Sequence, residues 1–336
     1  IYFKIMRILV TGACGFIGSH LVEQLVKKNH KVRAFTFYNS KNSNGWLENI
    51  DKNVLKNIDT VSGDIRDYEF LKKQTKNIDV IFHLAALVGI PYSYQAVQSY
   101  IDTNITGTYN ILNAAKTNNI SKTIITSTSE VYGTAKEVPI LESHPLNAQS
   151  PYAASKISAD QLALAFYKSY GLRVGIVRPF NTFGPRQSAR AIIPTIITQL
   201  LKKNKTIKLG NLKPTRDFTY VEDTANAFIS TIKNNKIFGE VVNFGNSFEI
   251  SIKDILEIFK KDFGYNFNIK LDKKRVRAKN SEVFRLLASN KKAKKLLRWR
   301  PKYDGLNGFK KGLEKTIKWF SDNRNLSQYN SKDYNI

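Results

Sequence analysis

A tyrosine and a lysine four residues apart, Tyr152 and Lys156 in the run Tyr-Ala-Ala-Ser-Lys, have the types and spacing of a proton-transfer pair. On a helix that spacing puts both side chains on one face. An unperturbed phenol titrates near about pH 10, and an ammonium beside it favours the phenolate, so this tyrosine is expected to act as a base near neutral pH. Alone, Tyr-x-x-x-Lys is common on solvated helix faces. Here it follows a β-branched run ending Thr126-Ser-Thr128-Ser129-Glu130, which brings hydroxyls and a carboxylate to the same neighbourhood.

Those residues need a scaffold, and the chain spells one out. From Arg7 to about Phe180, short β-branched or apolar runs alternate with longer amphipathic stretches, the pattern of a parallel sheet covered by helices on both faces. Strands are expected at Arg7 to Thr11, Lys31 to Phe35, Ile58 to Ser62, Asp79 to His83, Lys122 to Thr126 and Arg173 to Arg178. Helices are expected at Phe16 to Lys28, Tyr68 to Thr75, Ser99 to Asn118 and Pro151 to Tyr170. Beyond Pro179 the alternation lapses. The expected division is a doubly wound α/β domain over residues 1–180, to which 217–246 return, a smaller mixed α/β substrate lobe from 181–216 and 247–325, and a surface tail at 326–336. Doubly wound sheets bind ligands above the carboxyl ends of their strands.

Thr11 to Gly18 reads Thr-Gly12-Ala-Cys14-Gly15-Phe16-Ile17-Gly18, a G-x-x-G-x-x-G loop between the first strand and the first helix. The first glycine permits a tight turn, the second lets backbone amides approach a pyrophosphate, and the third allows close helix packing. A dinucleotide is the expected ligand, with Cys14, Phe16 and Ile17 as loop residues. The second strand runs out through Thr36, Tyr38 and Asn39 with neither the carboxylate that holds ribose hydroxyls nor an arginine for a 2′-phosphate. NAD is therefore favoured, with NADP left open. Asp64 and Ile65, after the third strand, are placed to contact adenine. Leu84, Ala85 and Ala86 follow His83, itself expected as a core imidazole, and give the cofactor backbone room.

Composition narrows the function classes. The 336 residues carry 53 Lys and Arg against 27 Asp and Glu, a net charge of +26, and residues 251–320 hold 21 basic and 7 acidic side chains. The lysines are scattered among asparagines, which fits solvated faces better than a phosphate track, so no nucleic-acid partner is expected. No apolar run approaches the roughly 18 residues of a membrane span. With one cysteine and no basic-then-apolar leader order, the expected location is the cytoplasm. No metal site is expected.

Taken together, Gly12/Gly15/Gly18, Asp64, His83-Leu-Ala-Ala86, Asn104-Ile-Thr-Gly-Thr108, Thr128, Tyr152 with Lys156, Arg178-Pro-Phe-Asn181 and Arg216-Asp-Phe resemble the extended short-chain dehydrogenase/reductase family, over nearly the whole chain. The resemblance implies a Rossmann sheet, a bound nicotinamide cofactor contacted also by Asn104, Tyr152 and Lys156, and a nucleotide-sugar substrate. It implies a homodimer through a four-helix bundle of Ser99 to Asn118 and Pro151 to Tyr170. Thr128-Ser-Glu130 looks like the dehydratases and decarboxylases of the family, whereas epimerases usually lack the glutamate. Asn44-Gly-Trp46, Ile90-Pro-Tyr-Ser-Tyr94 and Pro185-Arg186-Gln-Ser-Ala-Arg190 look most like the 4,6-dehydratases of the legionaminic-acid pathway, which act on nucleotide-linked N-acetylglucosamine, GDP-linked in some members.

The implied chemistry is ordinary acid-base work. Tyr152 takes the C4 hydroxyl proton as C4 is oxidised, with Thr128 bonded to the developing ketone oxygen. Glu130 then removes the acidified C5 proton and the C6 hydroxyl leaves as water. Glucose-type dehydratases place an aspartate where this chain has Ser129; mannose-type dehydratases also have serine there, so dehydration survives the departure and the acid for water loss stays open. Asn181, Arg186, Arg216, Arg277 and Glu282 are the implied substrate contacts, with Ala278 where the family usually has proline. A 4-epimerase, a UDP-glucuronate-type decarboxylase and a non-catalytic basic module that senses the cofactor remain as alternatives.

Overall fold

The computed structural model describes residues 5–275 and 281–329. In chain order its first elements are β1 (Arg7–Thr11), α1 (Phe16–Lys27), β2 (Lys31–Phe37), α2 (Lys52–Leu55), β3 (Ile58–Gly63), α3 (Tyr68–Gln74), β4 (Val80–His83), α4 (Ile90–Ser93), α5 (Val97–Tyr100), α6 (Gly107–Thr117), β5 (Lys122–Thr126), α7 (Pro151–Tyr170) and β6 (Val174–Pro179). There follow β7 (Asn181–Phe183), α8 (Ile192–Leu201), β8 (Thr206–Leu209), β9 (Thr215–Tyr220), α9 (Val221–Ser230), β10 (Val241–Phe244), β11 (Glu249–Ser251), α10 (Ile252–Lys261), β12 (Asn268–Leu271), β13 (Arg285–Leu286), α11 (Lys291–Leu297), α12 (Gly305–Phe320) and α13 (Asn323–Leu326).

Seven parallel strands form the main sheet in the order β10-β6-β5-β4-β1-β2-β3. Because successive strand residues point to opposite faces, each strand feeds two cores. Ile8, Val10, Phe82, Ile124 and Val177 pack with α1, α9 and α11. Leu9, Ile81, Ile125 and Ile176 pack with α6 and α7 on the other face. The sheet is covered on both sides, which is why its strands read as near-continuous apolar runs. Strand order reverses between β1 and β4, and a crevice at such a reversal is where open α/β sheets bind ligands.

The smaller lobe has its own mixed sheet. Strand β9 pairs antiparallel with β11 and parallel with β13 and β7, and β8 pairs with β12. Its core centres on Phe183, Phe218 and Phe309, whose rings lie 5.1–6.1 Å apart. Residues 217–220, expected to return to the main sheet, instead complete β9 of the lobe, while α9 and β10 do join the main sheet. The expected tail begins as packed structure: Tyr329 is buried and stacks on Trp46, with centroids 5.7 Å apart. Among the described residues, no helix is long and apolar enough to cross a membrane.

The stretch expected as one helix from Ser99 to Asn118 is helical throughout from Val97 to Thr117, but not uniformly α. Between α5 and α6 the chain takes a π-helical turn over Ile101–Thr106. Two side chains serve partners other than the helix ladder: Asn104 of this turn bonds the backbone of Leu87, and Thr108 in the first turn of α6 donates to the Asn104 carbonyl at 2.6 Å. Insertions of this kind are what bend helices locally.

Candidate active site

Strand β1 ends at Thr11, and the chain turns through Gly12 at φ +68° into α1. A Cβ on Gly12 would sit 2.8 Å from the Ala85 nitrogen, and one on Gly18 would sit 2.1 Å from the Gly12 carbonyl oxygen. Only glycine permits that approach. No side chain caps α1, so its first-turn amides, which have no partner within the helix, remain available to an anion. The Cys14 carbonyl accepts from the Trp46 amide, so this loop is braced from the 45–49 turn. Phe16 packs edge-on against His20 at 6.0 Å. Ile17 packs at the margin of the α1 core. Leu84 and Ala85 are strapped to β1, their amides donating to the carbonyl and hydroxyl of Thr11. Ala86 follows, half-buried.

His83 is a core imidazole bonded to Thr11 and Thr108, and burial with the nearby Lys156 charge pushes it down to about 3. It is neutral at physiological pH. Most of the residues expected at the outer part of the cofactor site are engaged within the protein. Thr36 is buried and bonded to Ser62, and Asn39 closes its own loop on Phe37 and Ser43. Tyr38 is exposed. Asp64 is engaged by the Arg66 guanidinium, which holds its carboxyl below the usual range. Ile65 is buried against Gly107. Asn104 spends its amide on Leu87 and on Ser155, whose hydroxyl donates to the Tyr152 carbonyl. It ties the π-helical turn to the first turn of α7.

Thr128 leaves β5 in an extended conformation and caps the short 3-10 turn Ser129–Tyr132, accepting from the Glu130 amide at 3.2 Å. Ser129 is buried at the start of that turn. Opposite, Ser150 caps α7 by accepting from the Ala153 amide, and Pro151 begins the helix. Capping fixes where α7 starts and so where Tyr152 and Lys156 fall; both are buried. Burial pushes the Tyr152 phenol well above its ordinary value; a hydrogen bond with Thr128 pulls it down and the Glu130 charge raises it again. The phenol is thus raised, not lowered as its spacing from Lys156 predicts. Burial also pushes Lys156 down to about 8, against the charge of Asp160.

On the lobe side, Asn181 opens β7 with a buried Oδ1 that has no hydrogen-bond partner among the described residues. Arg216, on β9, donates to the Thr215 carbonyl and lies 3.8 Å from Glu282. Arg186 turns away to α1, its guanidinium 3.0 Å from Glu23 and bonded to Ser19. Arg277 lies outside the described residues.

Sequence reasoning missed the groups beneath the pair. Asp160 accepts from Ser127 and Arg178, Arg178 donates to the Tyr132 hydroxyl, and Tyr100 lies edge-on to Tyr152 at 6.1 Å. Asp160 stands one helical turn beyond Lys156, a spacing that marks a shared face. His83 bonds Thr11 at the start of the glycine loop and lies near the Lys156 charge, while Tyr152 meets Thr128 and the charge of Glu130. Among the described residues no group of His, Cys, Asp and Glu could hold a metal ion.

The family model for GDP-mannose 4,6 dehydratase matches residues 9–315. A Methanocaldococcus jannaschii protein, whose name of UDP-glucose 4-epimerase is provisional, is 32% identical over 94% of this chain and 99% of its own. Among solved structures, UDP-N-acetylglucosamine 4-epimerase from Methanobrevibacter ruminantium in complex with UDP-N-acetylmuramic acid superposes with a TM-score of 0.85 at 31% identity, covering 97% of this chain and 100% of that one. A double mutant of dTDP-glucose 4,6-dehydratase from Streptomyces venezuelae with NAD bound gives 0.82 at 29%, covering 95% and 98%.

Proposed function

The chain belongs to the extended short-chain dehydrogenase/reductase family of nucleotide-sugar dehydratases and epimerases, and from that we propose that it is an NAD-dependent nucleotide-sugar 4,6-dehydratase. Glu130 carries the choice. It stands in the turn after β5 close enough for its charge to act on the Tyr152 phenol, which puts a carboxylate beside the group that receives the C4 proton.

The residues present fit a dinucleotide. The glycine cradle is one that a Cβ would fill, and the Lys156 side chain is buried. Gly12, Gly15, Gly18 and the first turn of α1 would hold the pyrophosphate, and Lys156 a ribose hydroxyl. Bound NAD supplies a reversible oxidation at C4 and a positively charged ring. Tyr152, held protonated by burial in the protein alone, needs cationic neighbours to act as base, and Lys156 is the one on its own helix face. Thr128 orients the C4 oxygen through the hydroxyl that already bonds Tyr152. Glu130 takes the C5 proton once C4 is a ketone. Asn181 and Arg216 are suited to the nucleotide diphosphate.

We propose GDP- or UDP-N-acetylglucosamine as substrate, with a 4-keto-6-deoxy sugar as product. A 4-epimerase is the second reading, supported by the similarity to proteins named as 4-epimerases. Mass spectrometry of products from GDP-, UDP-, CDP- and dTDP-hexoses separates them: loss of water supports the dehydratase, loss of carbon dioxide a decarboxylase, and unchanged mass with inverted C4 the epimerase.

A homodimer completes the proposal. Tyr170, Tyr109 and Ile101 are 59%, 45% and 39% exposed on α7, α6 and the π-helical turn between α5 and α6, too much aromatic and aliphatic surface on adjacent helices for a bare solvent face. Light scattering is expected to return twice the chain mass; a monomer mass at all concentrations would reject it.

A further inference from the structure

Beneath the proton-transfer pair lies a charged cluster that the mechanism above does not use. Asp160 and Arg178 are buried together, with Nη2 to Oδ2 at 2.8 Å and Nε to the same oxygen at 3.1 Å. That oxygen also accepts from Ser127 at 2.9 Å. Arg178 continues to the Tyr132 hydroxyl at 2.9 Å, and Tyr132 donates to Asn243 at 2.7 Å. The cluster therefore grips both ends of the catalytic turn, through Ser127 just before Thr128 and through Tyr132 just after Glu130, and joins them to α7.

The other carboxylate oxygen, Oδ1, is buried with no hydrogen-bond partner among the described residues. A buried carboxylate with an unspent oxygen is costly unless its charge acts on something. Lys156 lies one helical turn back on the same face. We infer that Asp160 is a positioning residue, which holds the Lys156 ammonium charged and keeps α7 in register with the Thr128–Glu130 turn across Tyr152. This deepens the proposed function and rests on Tyr152 and Lys156 as its proton-transfer pair.

Other charged and titratable groups bear on the same corner. His83 reaches it from β4, Tyr100 from α5, Glu130 and Tyr132 from the turn after β5, and Arg178 from β6. His83 is neutral, and the charge opposing the burial of Lys156 is that of Asp160. Without it, Lys156 loses its proton at lower pH. A merely structural part would change stability or turnover at every pH alike.

The test is the pH profile of kcat with UDP-N-acetylglucosamine, or the GDP-linked sugar where the wild type prefers it. Asp160→Asn leaves the Arg178 charge buried and unpaired, so Asp160→Asn with Arg178→Met, which removes both charges, is measured beside it. Expected in whichever variant folds is an alkaline limb moved down by about one unit, kcat lower by about twofold at pH 7 and by nearly tenfold at pH 9, and KM within about threefold of wild type. A limb unmoved in a folded variant overturns the inference. So does loss of fold in both variants, which would make the cluster a determinant of the fold alone. Tyr152→Phe is assayed in parallel: wild-type turnover there sinks the proposed function itself, whereas an inactive Tyr152→Phe with unmoved Asp160 variants sinks only the part given to Asp160.

Discussion

Tyr152→Phe is expected to lose turnover by roughly 10²–10⁴-fold, the range contributed by a positioned general base, while binding NAD as wild type does. The glycine loop and the first turn of α1 are untouched by the change, and the ring keeps its edge-on contact with Tyr100. What disappears is the hydroxyl bonded to Thr128. Stability should fall by only about 1 kcal/mol for one hydrogen bond, which urea unfolding separates from the catalytic loss. Wild-type activity also has a predicted pH dependence. Lys156 must stay charged to favour the phenolate, and burial has pushed it down to about 8, so kcat should decline as pH rises through that value. A tyrosine acting without Lys156 would show no such limb there.

Glu130→Gln should stop the reaction midway. The charge is not needed to oxidise C4, because that proton goes to Tyr152, but it is needed to remove the C5 proton from the ketone. The variant is expected to accumulate the 4-keto hexose, with the absorbance of reduced nicotinamide rising in a single turnover, and to lose water at least about 100-fold more slowly than wild type. The substitution keeps the backbone amide that donates to Thr128, so the turn stays capped. Run in deuterium oxide, the experiment reads the base directly. A 6-deoxy product formed at the wild-type rate with deuterium at C5 would assign that proton to another group, and a variant that still inverts C4 would favour the epimerase.

Much of this was legible in the chain because it is local. The G-x-x-G-x-x-G loop announces itself since close backbone approach excludes every side chain, and the Cβ clashes at Gly12 and Gly18 are the geometric form of that exclusion. Tyr152 and Lys156 are four apart on a capped helix, so their shared face follows from helical pitch. The main sheet was readable because parallel strands buried on both sides leave unbroken apolar runs between amphipathic stretches. Asp160 also carried a local signal, its place four residues after Lys156, although the spacing says nothing of a partner.

Partners distant in sequence are what the spacing could not announce. Strand β9 joins the lobe rather than the main sheet because its register is set by β7, β11 and β13, contacts that no pattern within residues 215–220 specifies. The π-helical turn arises from Asn104 reaching Leu87 and Ser155, and Arg186 is drawn to Glu23 on α1 across the cleft. The reversal of the expected shift on Tyr152 has the same origin. Adjacency to a lysine can be read from four residues, but the charge state of a phenol depends on how much water the surrounding elements exclude. Residue types and helical pitch were enough to propose the reacting groups; how those groups are desolvated and held is set by long-range packing, and that appears only when the strands and helices are assembled.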